Sequence, residues 1–391
     1  MAVVAPLDLL DLDELLTDEE RDVRALVRRV VDDHVRPQVA QWYERGEVPA
    51  RDLAVEFGKV GLLGMHLTGY GCAGSTAVSY GLACLELEAA DSGVRSLVSV
   101  QGSLAMYAIW AYGSAEQKQR WLPGMAAGEL IGCFGLTEPD HGSDPATMAT
   151  RARRDGDDWV LTGGKMWITN APVADVAVIW ARADEGVLGF AVPTGTPGFS
   201  VREVTLKLSL RASSTGEITL DEVRLPDSAR LPQARGLKAP LSCLTEARFG
   251  IIWGVLGAAR DCLETAIAYA VSREQFGRPI AGFQLTQAKL ADMALELQKG
   301  FLLALHLGRR RDLVGVLRPE QVSVGKLNNV REAIAIARQC RTILGANGIS
   351  GEYPVLRHAN NLESVLTYEG TSEIHQLVIG QKLTGLNAFA G

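Results

Sequence analysis

Apolar residues recur along the chain with two different spacings, and the spacing changes twice. From Thr17 to about Gly132 they return every three or four positions, as at Val23, Leu26 and Val27, which is the period of an amphipathic helix. Thr17 is the predicted N-cap of the first helix, because its hydroxyl can accept a hydrogen bond from a free amide of the first turn. The first third of the chain is therefore predicted to be helical.

The middle of the chain has the pattern of strands. Between Cys133 and about Pro232, short runs of β-favouring residues alternate with Gly, Pro, Asp and Asn, as in WVLTG, VAVIWA and LGFAV. Helical spacing returns after Ser242 in long segments rich in Ala and Leu, at 243–273, 283–312 and 319–346. The predicted order of structure is α, β, α.

This order predicts a mainly α protein with an inserted β domain. The predicted domains are an N-terminal helical domain over residues 1–132, a middle β domain over 133–238 and a C-terminal helical bundle over 239–391. A chain of 391 residues with 47% hydrophobic content can bury a core for all three. No run of roughly 20 uninterrupted apolar residues occurs, so no membrane span is expected.

Charge and cysteine content narrow the classes of function. A formal net charge of -7 without a dense Lys/Arg run gives no electrostatic footprint for nucleic acid. The six cysteines lie singly, without a CxxC pair, which suggests neither a zinc site nor a disulfide framework. The first residues lack a basic stretch followed by an apolar one, so a cytoplasmic location is expected.

Four clusters carry candidate chemistry, and each has an ordinary structural alternative. In TYEGTSEI, residues 367–374, Glu369 is either a buried base or a solvated carboxylate at a helix end. In CFGLTEPDHGSD, residues 133–144, small residues would let backbone amides approach a ligand closely, and the alternative is a plain turn. Neither GxGxxG nor a Walker pattern is present, which disfavours a Rossmann or P-loop site.

The other two clusters combine aromatic and polar residues. GKMWITN, residues 164–170, ends a predicted strand, and Trp167 there either faces a ligand or belongs to the core. REQFGRP, residues 273–279, closes a long helix, and Arg273 there either binds a ligand or complements the helix dipole. Neither cluster identifies a ligand by itself.

In order and spacing, the four clusters together resemble the acyl-CoA dehydrogenase family. The family's LTEPxxGSD, WITN, RxxFG and YEGT segments all stand in this sequence. The resemblance implies an N-terminal helical domain, a middle β-barrel-like domain, a C-terminal four-helix bundle, bound FAD and assembly as a homotetramer, a dimer of dimers. It also implies Glu369 as the catalytic base, an electron-transfer flavoprotein as the electron acceptor, and no metal.

The resemblance further assigns individual residues to FAD. Those implied to line the flavin ring are Phe134, Leu136, Thr137, Trp167 and Thr169. Ser143 is implied at the pyrophosphate or the CoA, and Thr371 and Glu373 at the adenine half. Arg273 and Phe276 resemble the pair that reaches the FAD of a neighbouring subunit.

Several longer stretches resemble glutaryl-CoA dehydrogenases in particular. They are GYGCAGS at 69–75, DSGVRSLVSVQ at 91–101, KLSLRAS at 207–213, EARFGIIWGVLGA at 246–258 and the final TGLNAF. In that family an arginine binds the distal carboxylate of the substrate, and it corresponds here to Arg95, with Glu88 and Ser99 beside it. On a helix, positions i, i+7 and i+11 put these three on one face. The alternative for Arg95 is a surface ion pair with Asp91.

A free carboxylate entering an apolar pocket needs such a charge partner, because its desolvation is costly. By the same resemblance, Glu88 and Tyr368 are associated with decarboxylation, and Arg248 lies near the thioester unless it is only a residue at the edge of the core. The predicted reaction is FAD-dependent α,β-dehydrogenation of glutaryl-CoA with decarboxylation to crotonyl-CoA and CO2, which belongs to lysine and tryptophan degradation.

Three departures from the family pattern keep alternatives open. The chain reads YEGTSEIH where the family commonly reads YEGTHDIH, Val94 replaces a tyrosine, and Ala346 replaces a glycine. One alternative is a dehydrogenase of another short-chain or dicarboxyl acyl-CoA, or of a carrier-bound thioester, without decarboxylation. The other is a flavin-binding relative that is not catalytic, and the retention of Glu369 argues against it.

Overall fold

Helices fill the first third of the chain in the computed structural model, which describes residues 4–389. The elements of this part are α1 (Asp18–His34), α2 (Val39–Arg45), α3 (Ala50–Lys59), the short hairpin of β1 (Thr68–Gly69) and β2 (Cys72–Ala73), α4 (Ala77–Ala90), α5 (Ser92–Ser99), α6 (Tyr107–Tyr112) and α7 (Ala115–Ala126). Thr17 caps α1 as predicted. Its amide donates to Glu20 Oε2 at 2.9 Å, and its hydroxyl accepts from Glu20 N at 3.3 Å.

Helix α4 ends at a break that the sequence analysis did not predict. Asp91 is extended, with φ -166 and ψ 139, and its Oδ1 accepts from Gly93 N at 2.7 Å, which starts α5 as a new helix. Glu88 and Arg95 therefore lie on different helices, and the prediction that they and Ser99 share one helix face was wrong. Spacing of i, i+7 defines a face only along a continuous helix. Beyond Ser99 the chain continues as a π-helical segment, Val100–Met106.

A seven-stranded sheet forms the middle of the chain. Its strands are β3 (Gly132–Gly135), β4 (Arg151–Asp155), β5 (Asp158–Thr169), β6 (Val176–Ala183), β7 (Gly186–Pro193), β8 (Phe199–Glu203) and β9 (Thr215–Pro226). The order across the sheet is β3-β6-β4-β5-β9-β8, with β7 paired to β6. Trp159, Ile179 and Phe190 belong to a buried cluster made of residues of this region. The sheet therefore packs around an interior of its own.

Strand β5 is irregular near its end. Its pairing with β9 shifts between Lys165 and Ile168, and Trp167 within this bulge has φ 64. A bulge redirects side chains from their regular alternation. Trp167 is 58% exposed here while Ile168 next to it is buried. The alternative that Trp167 belongs to the core is therefore excluded.

The remainder of the described chain forms long packed helices and a second short hairpin. They are α8 (Lys238–Ser272), the strands β10 (Glu274–Gln275) and β11 (Arg278–Pro279), α9 (Gln284–Val314), α10 (Pro319–Ile343), α11 (Val355–Thr367) and α12 (Ser372–Thr384). The three predicted long segments correspond to α8, α9 and α10. The predicted fold class, helical regions around an inserted β domain, is confirmed.

Helix α8 is long and apolar enough to cross a membrane by length and composition alone. However, 72% of its most apolar window is buried inside the protein. A helix that is hydrophobic on all sides is also expected in the core of a large fold. Helix α8 packs against α4, α9 and α10, so its apolar surface is used within the fold.

Glycines allow α4 and α8 to approach each other closely. A Cβ on Gly257 would lie 1.8 Å from the backbone oxygen of Leu85. A Cβ on Gly254 would lie 2.1 Å from Oε2 of Glu88. Any larger residue at either position would push the helices apart, so the glycines set the distance between α8 and Glu88.

We expect Gly257→Ala to lower the unfolding midpoint, because overpacking costs about 1–3 kcal/mol and the clash here is with backbone. Gly380→Ala is the matched control. Gly380 lies within α12 with open space around it, and alanine there should stabilise by about 0.5–1 kcal/mol. Thermal unfolding followed by circular dichroism compares the variants. An unchanged midpoint for Gly257→Ala would contradict the packing argument.

Candidate active site

A tight turn between α11 and α12 holds Glu369. This residue has φ 53, a left-handed backbone conformation that residues other than glycine seldom adopt, and Gly370 follows with φ 95. Thr371 caps α12 by accepting from Ile374 N at 3.3 Å. A left-handed residue with a side chain costs about 1–2 kcal/mol, so the surroundings must hold the turn in place.

Two cations hold the three successive carbonyls of this turn. Lys326 Nζ donates to Tyr368 O and to Gly370 O, both at 2.7 Å. Arg248 Nε donates to Glu369 O at 2.6 Å. Arg248 thus contacts the turn through the backbone of Glu369, and its place near the thioester stays a prediction. Arg248 comes from α8 and Lys326 from α10, so two helices fix the turn from separate directions.

The carboxylate of Glu369 does not behave as a solvated group at a helix end. Its Oε2 is shielded from solvent and has no hydrogen-bond partner among residues 4–389. Burial raises the pKa of Glu369, and the charges of Arg95, Lys326 and Arg248 act in the opposite direction. A carboxylate with a raised pKa and a free oxygen can accept a proton from a weak carbon acid.

Arg95 lies in a buried ion pair beside this turn. Its Nε donates to Glu88 Oε2 at 2.6 Å, and Ser92 Oγ donates to Glu88 Oε1 at 2.8 Å. A second guanidinium nitrogen, Nη2, donates to the hydroxyl of Tyr368. Burial raises the pKa of Tyr368 to about 12, so this hydroxyl stays protonated at neutral pH. The structure thus brings Glu88, Arg95, Tyr368 and Glu369 together.

Asp91 does not pair with Arg95. Its Oδ2 lies 3.1 Å from Nε of Arg357 and accepts from Asn361 Nδ2 at 2.9 Å. The side chains of Arg95 and Glu88 are 1% and 0% exposed. The alternative of a surface ion pair for Arg95 is therefore excluded.

Two buried hydroxyls lie on the same helix as Arg95. Ser96 Oγ and Ser99 Oγ are shielded from solvent and find no partner within the described part of the chain. An unpaired buried hydroxyl is unfavourable unless a ligand or water completes it. Helix α5 thus presents a guanidinium and two free hydroxyls inside the protein.

A second buried ion pair braces the segments around β3 and β5. Lys165 Nζ donates to Glu138 Oε1 at 2.8 Å and to Leu136 O at 3.1 Å. The carboxylate of Glu138 also accepts from Thr150 N at 2.9 Å. Although burial acts to raise it, the pKa of Glu138 falls to about 2 because Lys165 and Thr150 donate hydrogen bonds to the carboxylate. Burial lowers the pKa of Lys165 to about 8 against the opposing effect of Glu138.

The residues predicted to line a flavin ring lie on these braced segments. Phe134 and Leu136 are buried, Thr137 and Thr169 are half-buried, and Trp167 projects from the bulge. Met166 N donates to Thr137 O at 2.9 Å, which joins the end of β5 to the segment after β3. The two clusters that were separate in sequence thus form one surface.

Asn170 connects this surface to the helix that carries Arg95. Its Nδ2 donates to Leu97 O in α5 and to Gly132 O in β3, both at 3.4 Å. Asn170 is buried and left-handed, with φ 68. The segments predicted to line a flavin and the Arg95 cluster are therefore connected through Asn170.

The other predicted ligand residues lie at the surface of this chain. Ser143 and Glu373 are exposed. Arg273 ends α8 and is exposed, and Phe276 is 96% exposed at the tip of the β10–β11 hairpin. Thr371 is engaged as the cap of α12. None of these residues contacts the Glu369 turn through its own side chain in the described structure, so their ligand roles stay predictions.

Sequence reasoning missed Lys326 and Lys165. Lys326 has a recognisable signal, because Val322 and Val330 stand four positions before and after it on the buried face of α10. A lysine in an apolar stripe needs a partner inside the protein. For Lys165 the signal is weaker, since its position in β5 follows two glycines and the strand is irregular there.

Comparison with known proteins agrees with the α, β, α order of this chain. The chain belongs to the acyl-CoA dehydrogenase family. The model of the family's N-terminal domain matches residues 17–129, that of the middle domain 133–223, and that of the C-terminal domain 234–384. The bovine (Bos taurus) mitochondrial short-chain specific acyl-CoA dehydrogenase is 35% identical, over 94% of this chain and 90% of its own length.

Solved structures give the finer likeness. A glutaryl-CoA dehydrogenase from Mycobacterium smegmatis is 71% identical, with a TM-score of 0.98, covering 99% of this chain and 100% of that one. Another from the same organism, solved in complex with FADH2, is 65% identical with the same TM-score and coverage. The resemblance to glutaryl-CoA dehydrogenases predicted from sequence is confirmed.

We expect Lys165→Met to destabilise the protein, because it leaves a buried carboxylate without its cation. Breaking such a pair costs about 3–5 kcal/mol, and the amides that still donate to Glu138 place this case near the lower end. Amide hydrogen exchange should rise within residues 133–138 and 164–170.

Lys59→Met is the matched control, because Lys59 is 61% exposed and pairs with Glu56 at 2.7 Å on the surface. Its removal should cost less than about 1 kcal/mol. Adding Glu138→Gln to Lys165→Met should recover part of the loss. Equal midpoints for the two single lysine variants would show that the buried pair does not brace these segments.

Proposed function

We propose that this protein converts glutaryl-CoA to crotonyl-CoA and CO2, with FAD as the oxidant and Glu369 as the base. The observation that carries the proposal is the buried Arg95–Glu88 pair in contact with Tyr368, the residue before Glu369. It supplies a cation close to the proton acceptor, where a thioester with a free distal carboxylate needs one. The likeness to two glutaryl-CoA dehydrogenases supports the same substrate.

FAD supplies the acceptor for a hydride in this reaction. The residues of the chain fit such a cofactor, because Thr137 and Thr169 offer half-buried hydroxyls beside the projecting ring of Trp167. Phe134 and Leu136 would form the apolar part of the same site. The residues proposed for the rest of the cofactor are Ser143, Arg273, Phe276, Thr371 and Glu373.

Glu369 takes the first step. Its free Oε2 removes the proton at Cα of the thioester, while the hydrogen at Cβ leaves with its electron pair to the oxidant. The Cα–Cβ bond becomes double, and the proton stays on Glu369. Because Oε2 then carries this proton beside the bound thioester, Glu369 can donate it in a later step.

Decarboxylation follows from the position of the new double bond. The distal carboxylate is then one vinylogous step from the thioester carbonyl, so the bond that releases CO2 can pass its electron pair into that system. Glu369 returns its proton to Cγ, which gives the crotonyl group. One carboxylate serves both as acceptor and as donor, and atoms and charge balance without a further reactant.

Arg95 is proposed to bind the distal carboxylate before it leaves. Its Nε and Nη2 are engaged by Glu88 and Tyr368, and among the described residues no group accepts from Nη1. Glu88 already pairs with the guanidinium, so Arg95 holds a substrate carboxylate less strongly than an unpaired arginine would. Loss of CO2 moves the negative charge from the distal carboxylate into the dienolate and then, on proton return, to Glu369, so a weakly held carboxylate favours decarboxylation.

A dehydrogenase of a short-chain acyl-CoA without decarboxylation is the second candidate. The 35% identity to a short-chain specific enzyme favours it, as does the existing partner of Arg95. In that case Glu369 acts in the first step only. The two functions differ in whether the substrate carries a distal carboxylate that is lost as CO2.

The proposed partners follow the family. Electrons from the reduced cofactor pass to an electron-transfer flavoprotein, and the chain assembles as a homotetramer. The exposed Phe276 and Leu285, at 96% and 81%, support burial of this region against a second copy. Because Phe276 lies on the hairpin that follows Arg273, the same contact would bring both residues to a neighbouring subunit's cofactor.

The decisive measurement is anaerobic mixing of the FAD-loaded protein with glutaryl-CoA and, separately, with butyryl-CoA. We expect glutaryl-CoA to bleach the flavin absorbance and mass spectrometry to detect crotonyl-CoA and CO2. Glu369→Gln keeps the size of the side chain and should slow bleaching roughly 100- to 10,000-fold. Bleaching by butyryl-CoA alone, or an accumulating five-carbon unsaturated diacid thioester, would contradict the decarboxylating assignment.

Substrate choice tests Arg95 directly. In the double variant Glu88→Gln/Arg95→Met, both charges disappear together, so no unpaired ion is left buried. We expect kcat/KM for glutaryl-CoA to fall roughly 30- to 1,000-fold, the equivalent of about 2–4 kcal/mol, because a desolvated carboxylate loses its cation. The kcat/KM for butyryl-CoA should change less than about threefold, since an uncharged acyl chain needs no cation to bind it. Equal losses for both substrates would argue against carboxylate binding by Arg95.

A further inference from the structure

Lys326 occupies an unusual position on α10. It stands between Val322 and Val330 on the buried face of the helix and is only 2% exposed. An aliphatic residue would continue the apolar stripe at no cost, whereas a lysine must desolvate an ammonium group. Burial lowers the pKa of Lys326 to about 7, although Glu369 acts to raise it. Burying the ammonium group of Lys326 at this position therefore lowers the stability of the fold.

The contacts of Lys326 are directed at the backbone of the Glu369 turn. Nζ donates at 2.7 Å to the carbonyls of Tyr368 and Gly370, which flank Glu369 on both sides. It also lies 5.9 Å from the centre of the Tyr368 ring, and Arg95 lies at the same distance from that ring. The ammonium group thus bridges the carbonyls of the two residues on either side of Glu369, which has the left-handed conformation.

The helix ends leave this turn without other support for its carbonyls. Helix α11 ends at Thr367, and Thr371 uses its hydroxyl to cap α12, so residues 368–370 belong to neither helix. Arg248 holds the carbonyl of Glu369 itself. A side chain at Gly370 would be strained, because its φ is 95 and a Cβ there would lie 3.1 Å from His375 Nε2 and 3.2 Å from Arg248 Nη2. The turn is therefore fixed through its backbone.

We propose that Lys326 is a positioning residue, which aims the Glu369 carboxylate at Cα of the bound thioester by holding the carbonyls on either side of it. The inference rests on the proposed function, in which Glu369 is the base. In this proposal Lys326 acts on the thioester only through the turn. Proton transfer requires the acceptor oxygen within hydrogen-bond reach of the proton, so a small rotation of the turn has a large effect on rate.

The test isolates proton abstraction from oxidation. In the fully reduced holoenzyme the cofactor cannot take a hydride, so exchange of the Cα hydrogens of butyryl-CoA in D2O reports the base alone. We expect Lys326→Met to slow this exchange at saturating ligand at least tenfold, with the ligand Kd changed less than threefold. Backbone hydrogen exchange within residues 366–374, measured by mass spectrometry on the protein without ligand, should rise at the same time.

Asn329→Leu is the matched control on the same helix. Asn329 also donates to two backbone carbonyls, Ile252 O at 2.9 Å and Gly300 O at 3.1 Å, but these belong to α8 and α9. Its loss should lower the unfolding midpoint without slowing Cα exchange and without loosening residues 366–374. Slowed exchange in both variants to the same extent would assign the effect to general destabilisation and overturn the proposal.

Wild-type exchange in Lys326→Met would also overturn it. If Lys326→Met does not fold, Lys326→Gln is measured instead. The shorter amide of glutamine cannot reach both carbonyls, so we expect Cα exchange to be slow in this variant. Exchange at the wild-type rate in Lys326→Gln would overturn the proposal. Failure of the proposed function appears differently, as Cα exchange that persists in Glu369→Gln. Exchange abolished in Glu369→Gln but normal in both Lys326 variants would leave the base intact and refute its positioning by Lys326.

Discussion

Three successive carbonyls, those of Tyr368, Glu369 and Gly370, accept hydrogen bonds from two buried cations, and the geometry of the site depends on them. A left-handed glutamate between two helices has no regular hydrogen bonding of its own, so its conformation must be imposed from outside. Helices α8 and α10 provide this by bringing Arg248 and Lys326 to the turn. Long packed helices can hold the turn in this way, because the backbone that carries each polar side chain is held in a close-packed core.

The charges around this turn account for the kind of ligand that fits it. Arg95, Arg248 and Lys326 are cations, Glu88 and Glu369 are the carboxylates among them, and burial keeps His375 neutral by lowering its pKa to about 3. With all five groups ionised, one positive charge is left over in a region with little access to water. A ligand that carries one carboxylate would neutralise the region, whereas an uncharged acyl chain would not. This balance favours the dicarboxyl thioester over the short-chain alternative.

Sequence patterns predicted what depends on local spacing and missed what depends on distant contacts. The helical period, the Thr17 cap and the order of the four clusters were sufficient for the fold class and the family. The break at Asp91 was missed because counting i, i+7 and i+11 assumes that a helix continues. Lys326 was missed because the carbonyls it binds lie 42 and 44 positions away, and Glu138 lies 27 positions from Lys165. The domain boundaries and the roles of single residues in binding and catalysis stay predictions.

The break at Asp91 also fixes the distance between Arg95 and the base. Asp91 caps the helix that carries Arg95, and its carboxylate accepts from Asn361 and lies beside Arg357, both on α11. Helix α11 ends immediately before Tyr368. The hydroxyl of Tyr368 accepts a hydrogen bond from Arg95 and so connects the end of α11 to α5. A continuous α4–α5 helix would place Arg95 by helical geometry alone and would leave it unconnected to α11. Because Arg95 and Glu369 are both tied to this short helix, we expect the span between the proposed carboxylate-binding group and the proposed proton acceptor to be rigid. Such a span would select for chain length as well as charge, as the proposed action on one diacid thioester requires.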